Sequence, residues 1–370
     1  MVVQKVKSES ISKRIVKPSS KSNFGRWLLY TDWSFLQVLP TCMEKLSTFE
    51  SLLIFSVNRF FPLRKIKKHP TDKPWITPEL KTLIQQRQQA MFKDAPEFNK
   101  IINKVNRLNN GLRSSFFESK VKNCDNATSW WKSIKQLAGF QRRKTLTSAI
   151  VSDKEIHSTE LATHINKSFL SVTQSLPPLS PLENVETDVA AVKKILSKYY
   201  ISPESVYVIL FNLKRVKASG PDNLHSWILK DFAMELSSPV AEIFNYASIL
   251  ERIVPDSWKE ADVIPIPKSV SVKEIENDLR PISLTSIISK TMEHFVAEWI
   301  MSQIRHLVER KQFGSLAGLS TTHSLLSFVH HQYKSTDQTN QGVRVLFLEF
   351  SKAFDRIDHH ILIKNGRNGY

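Results

Sequence analysis

The chain has 370 residues, of which 41% are apolar and 24% charged, and its formal net charge is +17. This length and composition exclude a wholly disordered protein and allow two domains with hydrophobic cores. Two cysteines exclude a disulfide scaffold and indicate a reducing compartment, so an intracellular protein of the cytoplasm or nucleus is expected. No apolar run approaches the ~20 residues of a membrane span, so no membrane partner is expected.

The basic excess lies entirely in the first part of the chain. Residues 1–150 hold 28 Lys and Arg against 10 Asp and Glu, whereas residues 151–370 hold 24 against 25. Such asymmetry is typical of a polyanion-binding region joined to a globular domain with another role. A solvated basic face is the plain alternative, but the surplus exceeds what solubility requires. We therefore expect the N-terminal half to bind nucleic acid.

The N-terminal segment, residues 1–70, is expected to be basic and partly disordered. Its first 21 residues are rich in Ser and Lys and show no clear apolar periodicity. A helical basic connector is predicted over residues 71–145. Its first helix should begin after Thr77, a good N-cap that is followed by Pro78 at the first helical position.

Two more helices are expected in the connector, one over residues 98–122 and a short one that carries Trp130 and Trp131. Aromatic rings between basic faces can stack on bases while the cations bind phosphates. The alternative, which we favour for Phe116 and Trp131, is that these rings close a small helical core. The cations on these helices are candidate nucleic-acid-binding residues: Lys81, Arg87, Lys104, Arg107, Arg113 and Lys120.

An irregular linker is predicted over residues 146–190. Three prolines between Ser175 and Glu186 disfavour regular structure there and favour an extended connection. A second domain is predicted over residues 191–370, and its first helix should begin after Ser202, which is followed by Pro203.

Further elements of this second domain follow from its apolar pattern. A helix is expected over residues 239–250, and another after Ser320. Residues 263–266 indicate a short strand that its prolines confine to a sheet edge. Residues 343–350, "VRVLFLEF", are nearly all apolar and predict a strand that is buried on both faces. Glu349 stands near the end of that strand.

Five segments in this order carry a family resemblance. They are "KASGPDNLHSWILKDF", "VPDSWKEADVIPIPK", "LRPISLTSIISKTMEHFVAEWI", "QFGSLAGLSTTHSLL" and "VLFLEFSKAFDRIDHHIL", and "KPWITPELKTLIQQRQQA" precedes them. With these segments the chain resembles the reverse transcriptases of non-LTR retrotransposons, the jockey-like and CR1-like LINE elements. The resemblance implies an α+β fold, namely an incomplete right-hand polymerase with fingers and a first palm strand, preceded by a mainly helical basic region. It implies an RNA template and a DNA primer as partners, and it leaves the oligomeric state open.

The resemblance also implies roles for single residues. Glu349 stands where the family has its first metal-binding Asp, and the backbone carbonyl of Phe350 would be a further ligand of Mg²⁺. Phe354 matches the aromatic steric gate beneath the incoming sugar. Lys268 and Arg280 match the two basic residues that hold the nucleotide triphosphate. From the residues alone, a core position explains Phe354 equally well, and solvent exposure explains the two cations.

Two departures from the family pattern indicate an inactive fragment of an RNA-directed DNA polymerase. The family's other catalytic acids lie in an aromatic-x-Asp-Asp hairpin, and this sequence contains no Asp-Asp pair. The extra methylene of Glu349 displaces its carboxylate by ~1–1.5 Å, whereas productive sites tolerate ~0.5 Å. The alternative function is a non-catalytic RNA-binding protein derived from such an element. A zinc site among Asp355, Asp358, His359 and His360 is disfavoured, because no cysteine is near.

Overall fold

The computed structural model describes residues 9–68, 73–91, 95–122, 124, 127–137, 148–151, 154–174, 176–178, 199–251, 253–268, 272, 274–339 and 342–367. These residues form many helices and three separate two-stranded sheets, which fits the expected α+β class. None of the described helices is long and apolar enough to cross a membrane.

The regular elements follow one another along the whole chain. The first are β1 (Glu9–Arg14), α1 (Pro18–Tyr30), α2 (Phe35–Val38), α3 (Cys42–Phe60), β2 (Leu63–Lys68), α4 (Pro78–Ala90), α5 (Ala95–Lys122), α6 (Ala127–Leu137), β3 (Ser148–Val151), β4 (Lys154–His157) and α7 (Ser158–Thr173). The next are α8 (Pro203–Phe211), α9 (Ser226–Asp231), α10 (Ala233–Phe244), a π-helix (Asn245–Glu251), α11 (Asp256–Lys259), β5 (Asp262–Pro267), α12 (Ile275–Asp278) and β6 (Leu279–Leu284). The last are α13 (Ile287–Ile304), α14 (Thr321–Thr339), a 3₁₀ turn (Phe354–Arg356) and α15 (His359–Arg367).

The chain divides into two compact units. Residues 1–21 and 58–146 form the first, which we call the basic unit, and residues 22–57 and 147–370 form the larger unit. These units do not coincide with the four segments predicted from the sequence, because residues 22–57 group with the second half of the chain. The predicted segments therefore stay a prediction about domains.

Among its described residues, the basic unit contains the antiparallel sheet of β1 and β2 and the helices α4, α5 and α6. Strand β1 pairs with β2, with Arg14 opposite Leu63. The disorder expected in the first 21 residues is therefore wrong for residues 9–14, which form β1, and for residues 18–21, which begin α1, while residues 1–8 lie outside the described residues. Backbone pairing with β2 orders this Ser- and Lys-rich strand, which has no apolar periodicity of its own to signal it.

Helices α4 and α5 pack on each other in the basic unit. The hydroxyl of Thr77 accepts a hydrogen bond from the backbone N–H of Leu80 at 3.2 Å, which confirms the predicted N-cap of α4. Leu80, Leu83 and Val105 are buried between the two helices. The predicted helix over residues 98–122 is confirmed as α5, which begins three residues earlier at Ala95, and the short tryptophan-bearing helix is α6.

The core of the larger unit forms where helix α1 meets helices from the middle of the chain. The ring of Phe24 in α1 packs edge-on against Phe232, with 4.8 Å between centroids. Helices α8 and α10 bury Leu210, Val240 and Phe244 completely. The predicted helix over residues 239–250 exists, but it begins earlier, as α10 with a proline inside it, and it ends as the π-helix. Burial of both ends of α10 outweighs the ~3 kcal/mol that an interior proline costs a helix.

The predicted linker contains regular structure. Strands β3 and β4 form a hairpin, and α7 follows them with Leu161 and Ile165 buried. The prediction of an irregular stretch is therefore wrong for residues 148–151 and 154–173. Burial of the apolar face of α7 stabilises this helix, which the local sequence did not predict. Of the proline-rich run, only residues 176–178 are among the described residues.

The turn at Gly220 lies directly against the start of α13. A Cβ atom at Gly220 would stand 2.5 Å from the carbonyl carbon of Thr285 and 2.7 Å from the nitrogen of Ser286, so only glycine fits. The hydroxyl of Ser286 in turn caps α13 by accepting from the N–H of Ile288 at 3.2 Å. The turn signal in "SGPDN" is thus also a packing requirement.

Residues 343–350 form no strand among the described residues. The side chains of Leu346, Phe347, Leu348 and Phe350 are 75–81% exposed. The prediction of a strand buried on both faces is therefore wrong for this structure. No described strand lies beside the segment to pair with its backbone, and no sheet covers its side chains.

Candidate nucleotide and nucleic-acid sites

The β5–β6 sheet brings Lys268 and Arg280 together. Ile266 of β5 stands opposite Arg280 of β6, and the N–H of Lys268 donates to the carbonyl of Asp278 at 2.8 Å, which extends the pairing by one residue. Side chains alternate along a strand, so Lys268 and Arg280 lie on the same face as diagonal neighbours. Both strands are sheet edges, which confirms the edge position predicted for β5, whereas the sequence did not predict β6 as a strand.

This face of the β5–β6 sheet is open to solvent. Lys268 and Arg280 are exposed, and neither forms an ion pair with a described residue. The same face carries Ile264, Ile266 and Ile282, each 40–45% exposed. Two cations beside an apolar strip suit a ligand that has both phosphates and a flat apolar part.

The other predicted nucleotide-site residues, Glu349 and Phe354, belong to a later part of the chain than this hairpin. Glu349 is exposed, and Phe354 is 86% exposed at the start of the 3₁₀ turn, so a core position does not explain Phe354. Within the described residues, no hydrogen bond, ion pair or ring contact joins Glu349 or Phe354 to Lys268 or Arg280. The structure thus assembles one half of the predicted site.

The residues around Glu349 do not by themselves fit a metal pair. Among the described residues, no three Asp, Glu, His or Cys side chains stand where they could hold a metal ion. Asp358, one of the acids that follow Glu349, caps α15 by accepting from the N–H groups of His360 and Ile361 at 2.8 and 3.3 Å. One carboxylate and the carbonyl of Phe350 leave most positions of two Mg²⁺ ions without protein ligands.

The predicted basic face of the connector is divided among several surfaces. At 3.6 residues per turn, Arg113 and Lys120 lie on one stripe of α5, whereas Arg107 and Lys104 lie about 120° and 180° around the helix. Lys81 is exposed on α4, and Arg87 on the same helix is half-buried. A single bound strand therefore cannot contact all six cations along one face.

An aromatic cluster lies beside the Arg113 stripe, and the sequence analysis missed its central member, Trp75. Its ring stands 5.9 Å from that of Phe116 and 5.8 Å from that of Phe117, and its Nε1–H donates to Oδ1 of Asn109 at 3.2 Å. The expected core role fits the half-buried Phe116. The sequence signal for Trp75 was an aromatic residue two positions before the helix cap Thr77.

The expected core role is wrong for Trp131. This side chain is 57% exposed and packs edge-on against Trp130, with 4.9 Å between ring centroids. Helix α6 is short, and the two tryptophans, being adjacent, point in directions about 100° apart, so one helix face cannot bury both.

A buried lysine connects α3 to α10 and the π-helix, and no sequence pattern predicted it. Lys45 is fully buried, and its ammonium donates to the carbonyl of Leu36. It lies 3.5 Å from a carboxylate oxygen of Glu242 and 3.8 Å from the ring centroid of Tyr246. Such a charge stays buried only with partners of this kind.

Two half-buried acids near the Gly220 turn each have one carboxylate oxygen that is shielded from solvent. Oε1 of Glu50 and Oδ2 of Asp222 are both shielded from solvent and have no hydrogen-bond partner within the described structure. Burial, and next the charge of Asp222, raise the pKa of Glu50 to about 7. The thiol of Cys42, at the start of α3, is also perturbed, since burial raises its pKa to about 12.

Similarity to known proteins agrees with these observations. No protein-family model matches the chain. It is 26% identical, over 78% of its length, to the probable RNA-directed DNA polymerase from transposon BS of Drosophila melanogaster. It is 24% identical, over 80% of its length, to the probable RNA-directed DNA polymerase from transposon X-element of the same organism. The chain is similar to transposon RNA-directed DNA polymerases.

A third such polymerase, from the mobile element jockey of Drosophila melanogaster, is 26% identical over 43% of the chain. The resemblance to reverse transcriptases of non-LTR retrotransposons is thereby confirmed. The chain spans 33% and 34% of the length of the BS and X-element polymerases.

Proposed function

We propose that the larger unit contains the fingers and the start of the palm of a right-hand RNA-directed DNA polymerase. In this proposal the ligands are an RNA template, a DNA primer and a nucleoside triphosphate, with Mg²⁺ as the metal. One observation carries it: the β5–β6 sheet places Lys268 and Arg280 on one exposed face, at positions that match the family's triphosphate-binding residues.

Each residue of this site has a defined chemical role. The planar guanidinium of Arg280 binds two phosphate oxygens at once, while the ammonium of Lys268 acts as a point charge. The ring of Phe354 would lie beneath the sugar and exclude a 2′-hydroxyl. Mg²⁺, when bound, would supply charge stabilisation at the attacking and leaving oxygens. The carboxylate of Glu349 and the carbonyl of Phe350 are the residues of this chain that would contact it.

Nucleotide binding tests this site directly. The full chain should bind a fluorescent deoxynucleoside triphosphate, and Lys268→Ala or Arg280→Ala should each weaken binding about tenfold, as expected for a charge-assisted hydrogen bond. Lys259→Ala removes an exposed lysine of the nearby α11 and should leave the affinity unchanged. Equal losses in all three variants would refute a site on the β5–β6 sheet.

We propose further that this chain does not extend primers. The side chain of Glu349 is one methylene longer than the Asp of the family, which displaces its carboxylate. The sequence also has no Asp-Asp pair to complete a two-metal site. The measurement is primer extension on an RNA template with Mg²⁺ or Mn²⁺. Incorporation that Glu349→Ala abolishes would show an active polymerase and overturn this part of the proposal.

A second candidate function is nucleic-acid binding through the basic unit without catalysis. The charge asymmetry of the sequence and the exposure of Lys81, Lys104, Arg107 and Arg113 favour it. Phosphate contacts release counterions, so the affinity of the full chain for RNA should fall steeply as salt rises. An affinity that does not change with salt would eliminate this candidate. Either function places the protein in the cytoplasm or nucleus, where its two free cysteines would stay reduced.

A further inference from the structure

Arg113 is held in place by aromatic rings although its side chain is exposed. Its guanidinium carbon lies 5.8 Å from the ring centroid of Trp75 and 5.7 Å from that of Phe117. Trp75 is itself fixed by its hydrogen bond to Asn109. Within the described residues Arg113 forms no ion pair. A guanidinium that is already positioned loses less conformational entropy when it binds an anion.

A surface depression opens next to this guanidinium. It has a volume of about 310 Å³ and is lined by Asn110, Arg113, Ser114 and Phe117. The lining combines a cation, a side-chain amide, a hydroxyl and an aromatic ring. This volume is at the lower end of the ~300–1,000 Å³ range of small-ligand sites, so it admits a single nucleotide but no duplex.

A second cation continues the same stripe. Lys120 follows Arg113 after about two turns, roughly 10 Å along the axis of α5. Its ammonium lies 5.7 Å from the ring centroid of Phe116, so an aromatic ring supports it too. A strand that places a phosphate at Arg113 and runs along the helix therefore meets a second anchored cation.

We propose that this depression binds one nucleotide of a single-stranded nucleic acid, with the phosphate on Arg113 and the base against the ring of Phe117. Asn110 and Ser114 supply hydrogen bonds to the base edge or the sugar. The proposal rests on nucleic-acid binding by the basic unit and assigns it to one site. An acidic peptide would satisfy Arg113 equally well, but it would leave the ring of Phe117 without a flat partner.

The first test is fluorescence anisotropy of a labelled 12-nucleotide oligouridylate with the full chain. Arg113→Ala should weaken binding about tenfold, and the slope of log affinity against log salt should fall by about 1. The matched control is Lys100→Ala, which removes the same charge from an exposed position of α5 about 140° around the helix. The control should lose at most about twofold, because only screened long-range attraction changes.

Two further variants separate the phosphate contact from folding and from stacking. Arg113→Lys keeps the charge and the salt slope but loses the planar fork, so the affinity should drop about three- to fivefold. Phe117→Leu should weaken binding of the single strand about fivefold or more, with no change for a duplex of the same length. If Arg113→Ala does not fold, as judged by its circular dichroism, Arg113→Lys decides.

Several outcomes would overturn the site, and they can be told apart. Equal losses for Arg113→Ala and Lys100→Ala would mean diffuse attraction, with binding by the basic unit intact but the site refuted. No binding of the oligonucleotide by the unaltered chain would refute both the site and the second candidate function. Displacement of the oligonucleotide by polyglutamate at lower concentration than by unlabelled oligouridylate would make the occupant a protein.

Discussion

Two apolar regions of the larger unit have opposite fates. Helix α10 buries all its apolar residues except Met234, because α8 packs on one side and other helices reach the rest. Residues 343–350 are at least as apolar, yet most of their large side chains are exposed. An apolar composition makes burial favourable. Burial occurs only where another element covers the side chains and its groups, or those of the same helix, satisfy the backbone hydrogen bonds.

The most direct way to break this comparison is to truncate one phenylalanine in each region. Phe244→Ala empties a fully buried site and should lower the free energy of unfolding by about 3–5 kcal/mol. Phe350→Ala removes an exposed ring and should change it by less than about 0.5 kcal/mol. Chemical denaturation measures both. A loss of several kcal/mol for Phe350→Ala would mean that the segment is buried in solution.

Variants of the buried Lys45 test whether a charge in the core depends on its polar partners. Lys45→Ala leaves the Leu36 carbonyl unpaired and the partly exposed Glu242 without its cation, and it should cost about 2–4 kcal/mol of unfolding free energy. Lys45→Met keeps the volume and needs no partner, so it should cost less. Denaturation curves of the two variants decide, and a larger loss for Lys45→Met would contradict a role for the charge.

The glycine at the turn before α9 tests close packing of backbone. Gly220→Ala forces a Cβ into the backbone of Thr285 and Ser286 and should cost about 1–3 kcal/mol. Gly111→Ala is the matched control, because a Cβ there meets nothing within 4 Å inside α5. The control should stabilise the protein by about 0.5–1 kcal/mol. Thermal unfolding that shifts both variants in the same direction would refute the contrast.

The smallest expected effect is a pH dependence at Glu50. Its pKa rises on folding from 4.5 to about 7, so the folded state binds the proton more tightly than the unfolded state. Its contribution to stability is fully present below pH 4.5 and is lost as the pH rises through 7. Between pH 5 and pH 8 the loss should be about 1–2 kcal/mol after allowance for partial exposure.

The control for this prediction is the variant Glu50→Gln, which cannot ionise. Its free energy of unfolding should lose the pH dependence that Glu50 contributes and should exceed that of the unaltered chain at pH 8. A difference between the two proteins that stays constant from pH 5 to pH 8 would show that Glu50 does not titrate in this range.

The sequence by itself determined the local features of this protein. The caps at Thr77 and Ser202 appear as predicted, because each is a hydrogen bond between residues three positions apart. The edge strand β5 was predictable because proline has no N–H to donate. The order of five motifs gave the polymerase resemblance, since it depends on no contact at all.

Only the tertiary structure decided which distant surfaces meet. It joined residues 22–57 to the second half of the chain, buried Lys45 and left residues 343–350 uncovered. Each of these results depends on a partner many positions away in the chain. The local sequence pattern does not indicate which partner that is. Burial and ion pairing are properties of two surfaces in contact, and the sequence of one surface describes only its own half.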